Sequence, residues 1–100
     1  MYLRRVARVV LVVPCYNEAK RLDPEAFRAF ALPGHYVDFR FVDDGSDDDT
    51  AGVLESIRAS RGGVTVQRLA RNCGKAEAVR QGVVAALAGE RPDYVGYWDA

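Results

Sequence analysis

One hundred residues suffice for a single small domain, although a chain of this size buries a smaller share of its surface than a full α/β enzyme. A hydrophobic share of 49% with 28% charged residues fits a packed globular protein and excludes the polar bias of a disordered one. Lys plus Arg and Asp plus Glu balance at 14 each, so no net field draws nucleic acid or anionic lipid, and any anion site has to be local.

The start Met1-Tyr2-Leu3-Arg4-Arg5 has the basic character of a signal peptide. The apolar run behind it, Val9 to Val13, is too short for one and meets Pro14-Cys15-Tyr16-Asn17-Glu18 instead of a small-residue cleavage site. Val6 to Val13 reads as a central parallel strand, β-branched and almost continuously apolar, which Pro14 ends. Asp23-Pro24-Glu25 combines an N-cap, a first-turn proline and an early acid, and Phe27, Phe30 and Ala31 follow at helical spacing until Pro33-Gly34. A second strand, Phe39 to Val42, leads into Asp43-Asp44-Gly45-Ser46. The next helix starts within Asp47 to Thr50, carries Val53, Leu54 and Ile57 on one face, and stops at Gly62-Gly63. Val64 to Leu69 is the third strand. Asn72-Cys73-Gly74 turns the chain into a helix from about Lys75 to Ala88, with Ala76, Val79, Val83, Ala86 and Leu87 as the expected buried stripe and Gly89 as its stop. Tyr94 to Trp98 is the fourth strand, followed by Asp99-Ala100.

This alternation predicts an α/β fold, a Rossmann-like three-layer sandwich around a mostly parallel sheet with right-handed crossovers, over residues 1–100 as one domain. Ligands of such sheets bind at the carboxyl ends of the strands. The unusual polar residues fall there: Tyr16-Asn17-Glu18, Asp43-Asp44-Gly45-Ser46, Arg71-Asn72-Cys73-Gly74-Lys75 and Asp99.

Asp43 and Asp44 can accept hydrogen bonds from a base or ribose, with Gly45 permitting close approach, or they can merely cap the helix that follows. Arg71 and Lys75 bracket a small-residue turn at a helix start, where free N–H groups favour phosphate, or they are solvated surface charge. The segment is not a P-loop, because Ala76 follows Lys75. Pro14 to Glu18 offers an aromatic platform, an amide and an acid, and equally serves as a plain strand exit. Asp99 is a turn former or the first half of an Asp-x-Asp metal motif. Cys15 reads as buried packing, and His35, by Pro33-Gly34 at the other side of the sheet, has no assigned role. Two cysteines, Cys15 and Cys73, give neither a disulfide framework nor a zinc site, so a cytoplasmic setting is the default, and no stretch reaches the length of a membrane span.

Taken in order, Val12-Val13-Pro14-Cys15-Tyr16-Asn17-Glu18, Val42-Asp43-Asp44-Gly45-Ser46 with Asp49-Thr50, Asn72 with Gly74-Lys75, and Trp98-Asp99-Ala100 resemble the start of a family 2 glycosyltransferase of the GT-A fold. Gly74 to Arg80 with Gly96 to Ala100 is most similar to the dolichyl-phosphate glucosyltransferase branch. The resemblance implies that Pro14, Tyr16 and Glu18 line a nucleotide pocket, that Asp44 supported by Asp43 binds a uracil edge, and that Lys75 and Arg71 sit near base or diphosphate. It further implies Asp99 as the first acid of Asp-x-Asp, directed at ribose and Mg²⁺ or Mn²⁺, a UDP-sugar donor, and an acceptor such as a polyprenyl (lipid) phosphate. The second metal acid, the catalytic base and the acceptor site would lie beyond residue 100. The chain as given is thus expected to bind nucleotide without transferring sugar, and to expose an edge prone to self-association; the intact protein would work in the cytoplasm, at a membrane's cytoplasmic face.

The alternatives are a non-catalytic nucleotide-binding or assembly module, a phosphorylatable receiver-type domain and a nucleotidyltransferase. A receiver would carry its acid pair after the first strand, and a nucleotidyltransferase a Gly-rich basic loop there.

Overall fold

The computed structural model describes residues 6–99. Its elements run β1 (Arg8–Cys15), α1 (Pro24–Ala29), β2 (Tyr36–Asp43), α2 (Thr50–Ser60), β3 (Val64–Arg68), α3 (Lys75–Gly89) and β4 (Tyr94–Tyr97). The strands form one sheet in the order β3-β2-β1-β4, every pairing parallel. The α/β reading therefore holds.

Alternation along the strands feeds two cores. On one face Val13, Cys15, Phe39 and Phe41 meet Phe27 of α1 and Leu54 and Ile57 of α2. Phe27 sits edge-on to Phe39 and Phe41, and Trp98 closes the same aromatic group at 4.9 Å from both Phe27 and Phe30. On the other face Val12 and Val42 pack against Ala78 of α3.

Four sequence expectations are corrected. Pro14 does not end β1: it lies inside the strand opposite Val42. The carbonyls of Arg8 and Val12 accept bonds from Asp93 and Trp98, so even-numbered residues of β1 turn their polar groups toward β4. At Pro14 that side is already past β4, whose pairing stops at Val12 with Tyr97, and the missing N–H costs no ladder bond. The first helix stops at Ala29, short of Ala31. Phe30 is its extended C-cap, and Arg61 Nη1 donates to the carbonyls of Phe27 at 2.5 Å and Phe30 at 2.6 Å, satisfying the freed helix end. The second strand starts three residues early, at Tyr36, because pairing with β1 outweighs the polar Asp38. On α3 the buried line is Ala78, Gly82 and Ala86, whereas Leu87 is 56% exposed. A Cβ on Gly82 would lie 2.5 Å from Val12 Cγ1, so the helix rides close on the sheet over its smallest side chains.

His35 does have a structural role: its Nδ1 accepts the Ala7 N–H at 3.0 Å, anchoring the entry of β1.

Candidate functional site

The ends of β1, β2 and β4 and the start of α3 surround a pocket of about 210 Å³ lined by Pro14, Cys15, Tyr16, Glu18, Asp44, Asn72, Gly74, Lys75 and Asp99. Of the residues singled out from sequence, Pro14, Tyr16, Glu18, Asp44, Lys75 and Asp99 are brought together there. Asp43 and Arg71 are not among its lining residues.

Adjacent acids part ways. Asp43 is fully buried; its Oδ1 accepts the Ser46 N–H at 3.0 Å, and its Oδ2 has no hydrogen bond, the nearest cation being Arg68 Nε at 3.9 Å. It holds the turn that follows β2. Asp44, only 2% exposed, faces the pocket and the start of α3. Its Oδ1 accepts the Cys73 N–H at 2.7 Å, and its Oδ2 accepts the Gly74 N–H at 3.0 Å and the Asn72 amide at 3.2 Å. These backbone N–H groups, expected from sequence to be open to phosphate, are thus taken by a carboxylate of the protein itself. Gly45, at φ 71, lets the two loops touch: a Cβ there would lie 2.5 Å from the carbonyl carbon of Arg71 and the nitrogen of Asn72.

The residues Ser46 to Thr50 serve the loop after β1. The consecutive N–H groups of Asn17, Glu18 and Ala19 donate to Ser46 Oγ at 3.0 Å, Thr50 Oγ1 at 2.9 Å and Asp48 Oδ2 at 3.2 Å. Asn17 returns the favour, its Oδ1 accepting from the N–H groups of Asp47 at 2.8 Å and Asp48 at 3.3 Å. Thr50 also donates its hydroxyl to Asp48, which holds that carboxyl below its usual range.

Lys75 Nζ pairs with Asp99 Oδ2 at 2.6 Å, and Glu18 with Arg21 at 3.3 Å. Burial, with the negative fields of Glu18 and Asp43 adding to it, pushes the Cys15 thiol up to about 12, which makes it an apolar wall of the pocket and not a nucleophile.

Among the described residues no three His, Cys, Asp or Glu side chains converge on a metal position. Asp99 alone fits an ion that takes its remaining ligands from substrate oxygens and water, as Mg²⁺ and Mn²⁺ sites do, and it does not fit a metal caged by protein. No helix among the described residues is long and apolar enough to cross a membrane.

From sequence, Asn72 and Gly74 belong to a turn and to the family resemblance without a role of their own, and the Asn17 amide is offered to a nucleobase or sugar; the structure instead keeps Asn17 out of the pocket lining and engages its Oδ1 with the Asp47 and Asp48 N–H groups. The signal for Asn72 was its amide one turn before a helix facing a buried acid; for Asn17 it was an asparagine amid pocket residues, a type that tolerates left-handed backbone.

A family model described as Glycosyl transferase family 2 matches residues 10–100. The chain is 30% identical over 92 residues to a poly-beta-1,6-N-acetyl-D-glucosamine synthase of Staphylococcus aureus, covering 92% of this chain and 21% of that protein. It is 38% identical over 82 residues to an undecaprenyl-phosphate 4-deoxy-4-formamido-L-arabinose transferase of Klebsiella pneumoniae, covering 77% of this chain and 25% of the relative. The chain therefore spans about a fifth to a quarter of these relatives. The crystal structure of S. aureus TarS 1–349 superposes with a TM-score of 0.66 at 25% identity, over 92% of this chain and 27% of TarS, and TarS 1–349 has also been solved with UDP. The layered sheet is accordingly the N-terminal half of a GT-A fold.

Proposed function

The chain belongs to glycosyl transferase family 2, and from that premise we propose that its pocket binds a nucleoside diphosphate sugar, with UDP as the nucleotide, as the donor-binding part of a glycosyltransferase. The observation that carries this reading is the meeting of an aromatic ring, three carboxylates and a lysine, from Tyr16, Glu18, Asp44, Asp99 and Lys75, in one pocket at the carboxyl ends of parallel strands.

Each group has a task in that reading. Tyr16, 43% exposed, offers a face for the base to stack on. Asp44 keeps one acceptor position: a carboxylate has about four lone-pair sites, and three donors from the 72–74 loop already occupy it. That position suits the N3–H of uracil. Lys75, with Arg71 at the loop's outer side, neutralises the diphosphate. Asp99 faces the ribose and would hold Mg²⁺ or Mn²⁺, which when bound stabilises charge on the departing diphosphate.

In the parent reaction an acceptor oxygen attacks the anomeric carbon opposite the diphosphate, inverting the configuration. The oxygen gains the sugar bond as the C–O bond to the diphosphate breaks, and a base removes any acceptor proton. The similarity to an undecaprenyl-phosphate sugar transferase favours a lipid phosphate as acceptor, and a lipid acceptor would put the intact protein at a membrane surface, on our reading its cytoplasmic face. Residues 1–100 form the donor-binding domain in this reading, and alone bind nucleotide without turnover.

Calorimetric titration with UDP and GDP, with and without Mn²⁺, tests the assignment. Saturable binding that prefers UDP and tightens with Mn²⁺ is expected, with no sugar released from a UDP-sugar. Absence of nucleotide binding, or stable phosphorylation by acetyl phosphate, overturns it.

A further inference from the structure

We propose that Asn17 is a positioning residue of the pocket, acting with Ser46, Asp48 and Thr50 as a reciprocal clasp that fixes Tyr16 and Glu18 while touching no nucleotide. The functional part rests on the nucleotide reading above.

Asn17 adopts φ 50, the left-handed region that costs most side chains but that asparagine enters with a local hydrogen bond. Both its neighbours line the pocket, and it does not. The backbone of residues 17–19 would otherwise present three free N–H groups in a row, and such a loop keeps its conformational freedom until a ligand orders it. Here every one of the three has a side-chain acceptor from the loop after β2. Two bonds run back from that loop's backbone to Asn17 Oδ1. Thr50, fully buried at the start of α2, and Ser46, 7% exposed, anchor the clasp to the core. None of Ser46, Asp48 and Thr50 lines the pocket, so their polar groups are spent on holding its wall.

The wall is therefore preorganised. A protein whose competent conformation is only partly populated binds with an affinity reduced by that fraction. Loosening the clasp should weaken UDP binding without removing any contact to UDP.

The test compares Asn17→Gly, which keeps the left-handed backbone and deletes Oδ1, with Asn17→Asp, which keeps an acceptor. Amide hydrogen exchange without nucleotide is followed at residues 17–19 and 47–48, and UDP affinity is measured alongside the thermal midpoint. N17G is expected to speed exchange at these amides and weaken UDP on the order of tenfold, as the competent fraction falls, while N17D restores both. Unchanged exchange in N17G overturns the clasp, and faster exchange with unchanged UDP affinity overturns its role in positioning. Should N17G fail to fold, Ser46→Ala removes a single clasp bond and is read identically. If the wild-type chain binds no UDP, the nucleotide reading falls, and with it the role in UDP affinity; the exchange result then decides the clasp by itself.

Discussion

Lys75, the first residue of α3, and Asp99, two residues past β4, pair at 2.6 Å across the pocket that both line. The hydrogen bond to Asp99 raises the Lys75 pKa above its usual 10.5, so the lysine stays charged at every physiological pH, and on the basic side the pairing is lost as pH rises through that elevated value. Both side chains are more than half exposed, and pairs of this kind add little to stability. Lys75→Met should leave the thermal midpoint almost unchanged and weaken UDP binding by about tenfold, the scale of one charge-assisted phosphate contact. Calorimetry beside a thermal melt checks both halves; unchanged affinity would remove Lys75 from the diphosphate site.

Asp44 should behave in the opposite way. Asp44→Ala removes the buried carboxylate that accepts from the N–H groups of Cys73 and Gly74 and from the Asn72 amide, and a hydrogen bond to a charged group contributes about 1.5–3 kcal/mol. A large drop in the urea midpoint is expected together with loss of UDP binding. Full stability in this variant would mean that the 72–74 loop finds other acceptors.

Gly82→Ala sets helix propensity against packing. Alanine gains about 1 kcal/mol in a helix interior over glycine, but its Cβ would lie 2.5 Å from Val12 Cγ1 and 2.8 Å from Val42 Cγ2, both of them in a buried core. Overpacking of about 1–3 kcal/mol should win, and denaturant unfolding should show net destabilisation. A stabilised variant would show that α3 can lift off the sheet at no cost.

The cysteines offer a chemical readout. Cys15 is buried with its thiol pushed up to about 12, while Cys73 is exposed. Iodoacetamide at pH 8 should alkylate Cys73 and spare Cys15 until the chain unfolds, as mass spectrometry of the native and urea-treated protein can show.

Acid should open the clasp first at Asp48. Its folded pKa lies below the usual 3.8 because Thr50 bonds to the charged form, so its contribution is complete above 3.8 and disappears as pH falls through the lowered value. Protection of the Ala19 amide should persist as pH falls past 3.8 and collapse only as it falls through the lowered value, where the carboxylate takes up its proton. In Asp48→Asn this step should be missing, with Ala19 exchanging at one constant protection across the range.

The four strand exits and their polar residues were legible because period and turn chemistry leave strong marks: β-branched runs, Gly62-Gly63, Gly74. What escaped was decided by neighbours far along the chain. Pro14 reads as a stop until β4 is known to end beside it. Of the expected α3 stripe only Ala86 is fully buried, because a helix that rides close to a sheet buries its smallest residues, here Ala78, Gly82 and Ala86, and leaves Leu87 exposed. Composition and spacing leave Asp43 and Asp44 equivalent, and it is the family resemblance that assigns the pocket to Asp44 with Asp43 behind it; neighbouring residues at a strand end point to opposite sides, and only Asp44 lines the pocket. The clasp was hidden for a further reason: Ser, Thr and Asp at a helix start signal a cap to any local reading, and Asp48 does cap, its Oδ1 accepting the Thr50 N–H at 2.9 Å, while Ser46 Oγ, Thr50 Oγ1 and Asp48 Oδ2 also accept from the loop after β1.

The strand order β3-β2-β1-β4 also predicts a sequence of assembly. The Ala7–His35 bond at the entry of β1 joins residues 28 apart, whereas the Arg8–Asp93 bond between β1 and β4 spans 85. Closing the longer loop costs more chain entropy and tends to come later. The β1-β2-β3 unit, with both halves of the clasp, can form while β4 is still unattached, and Asp99 then arrives as the last wall of the pocket. Binding of ligand there would report on completion of the whole sheet.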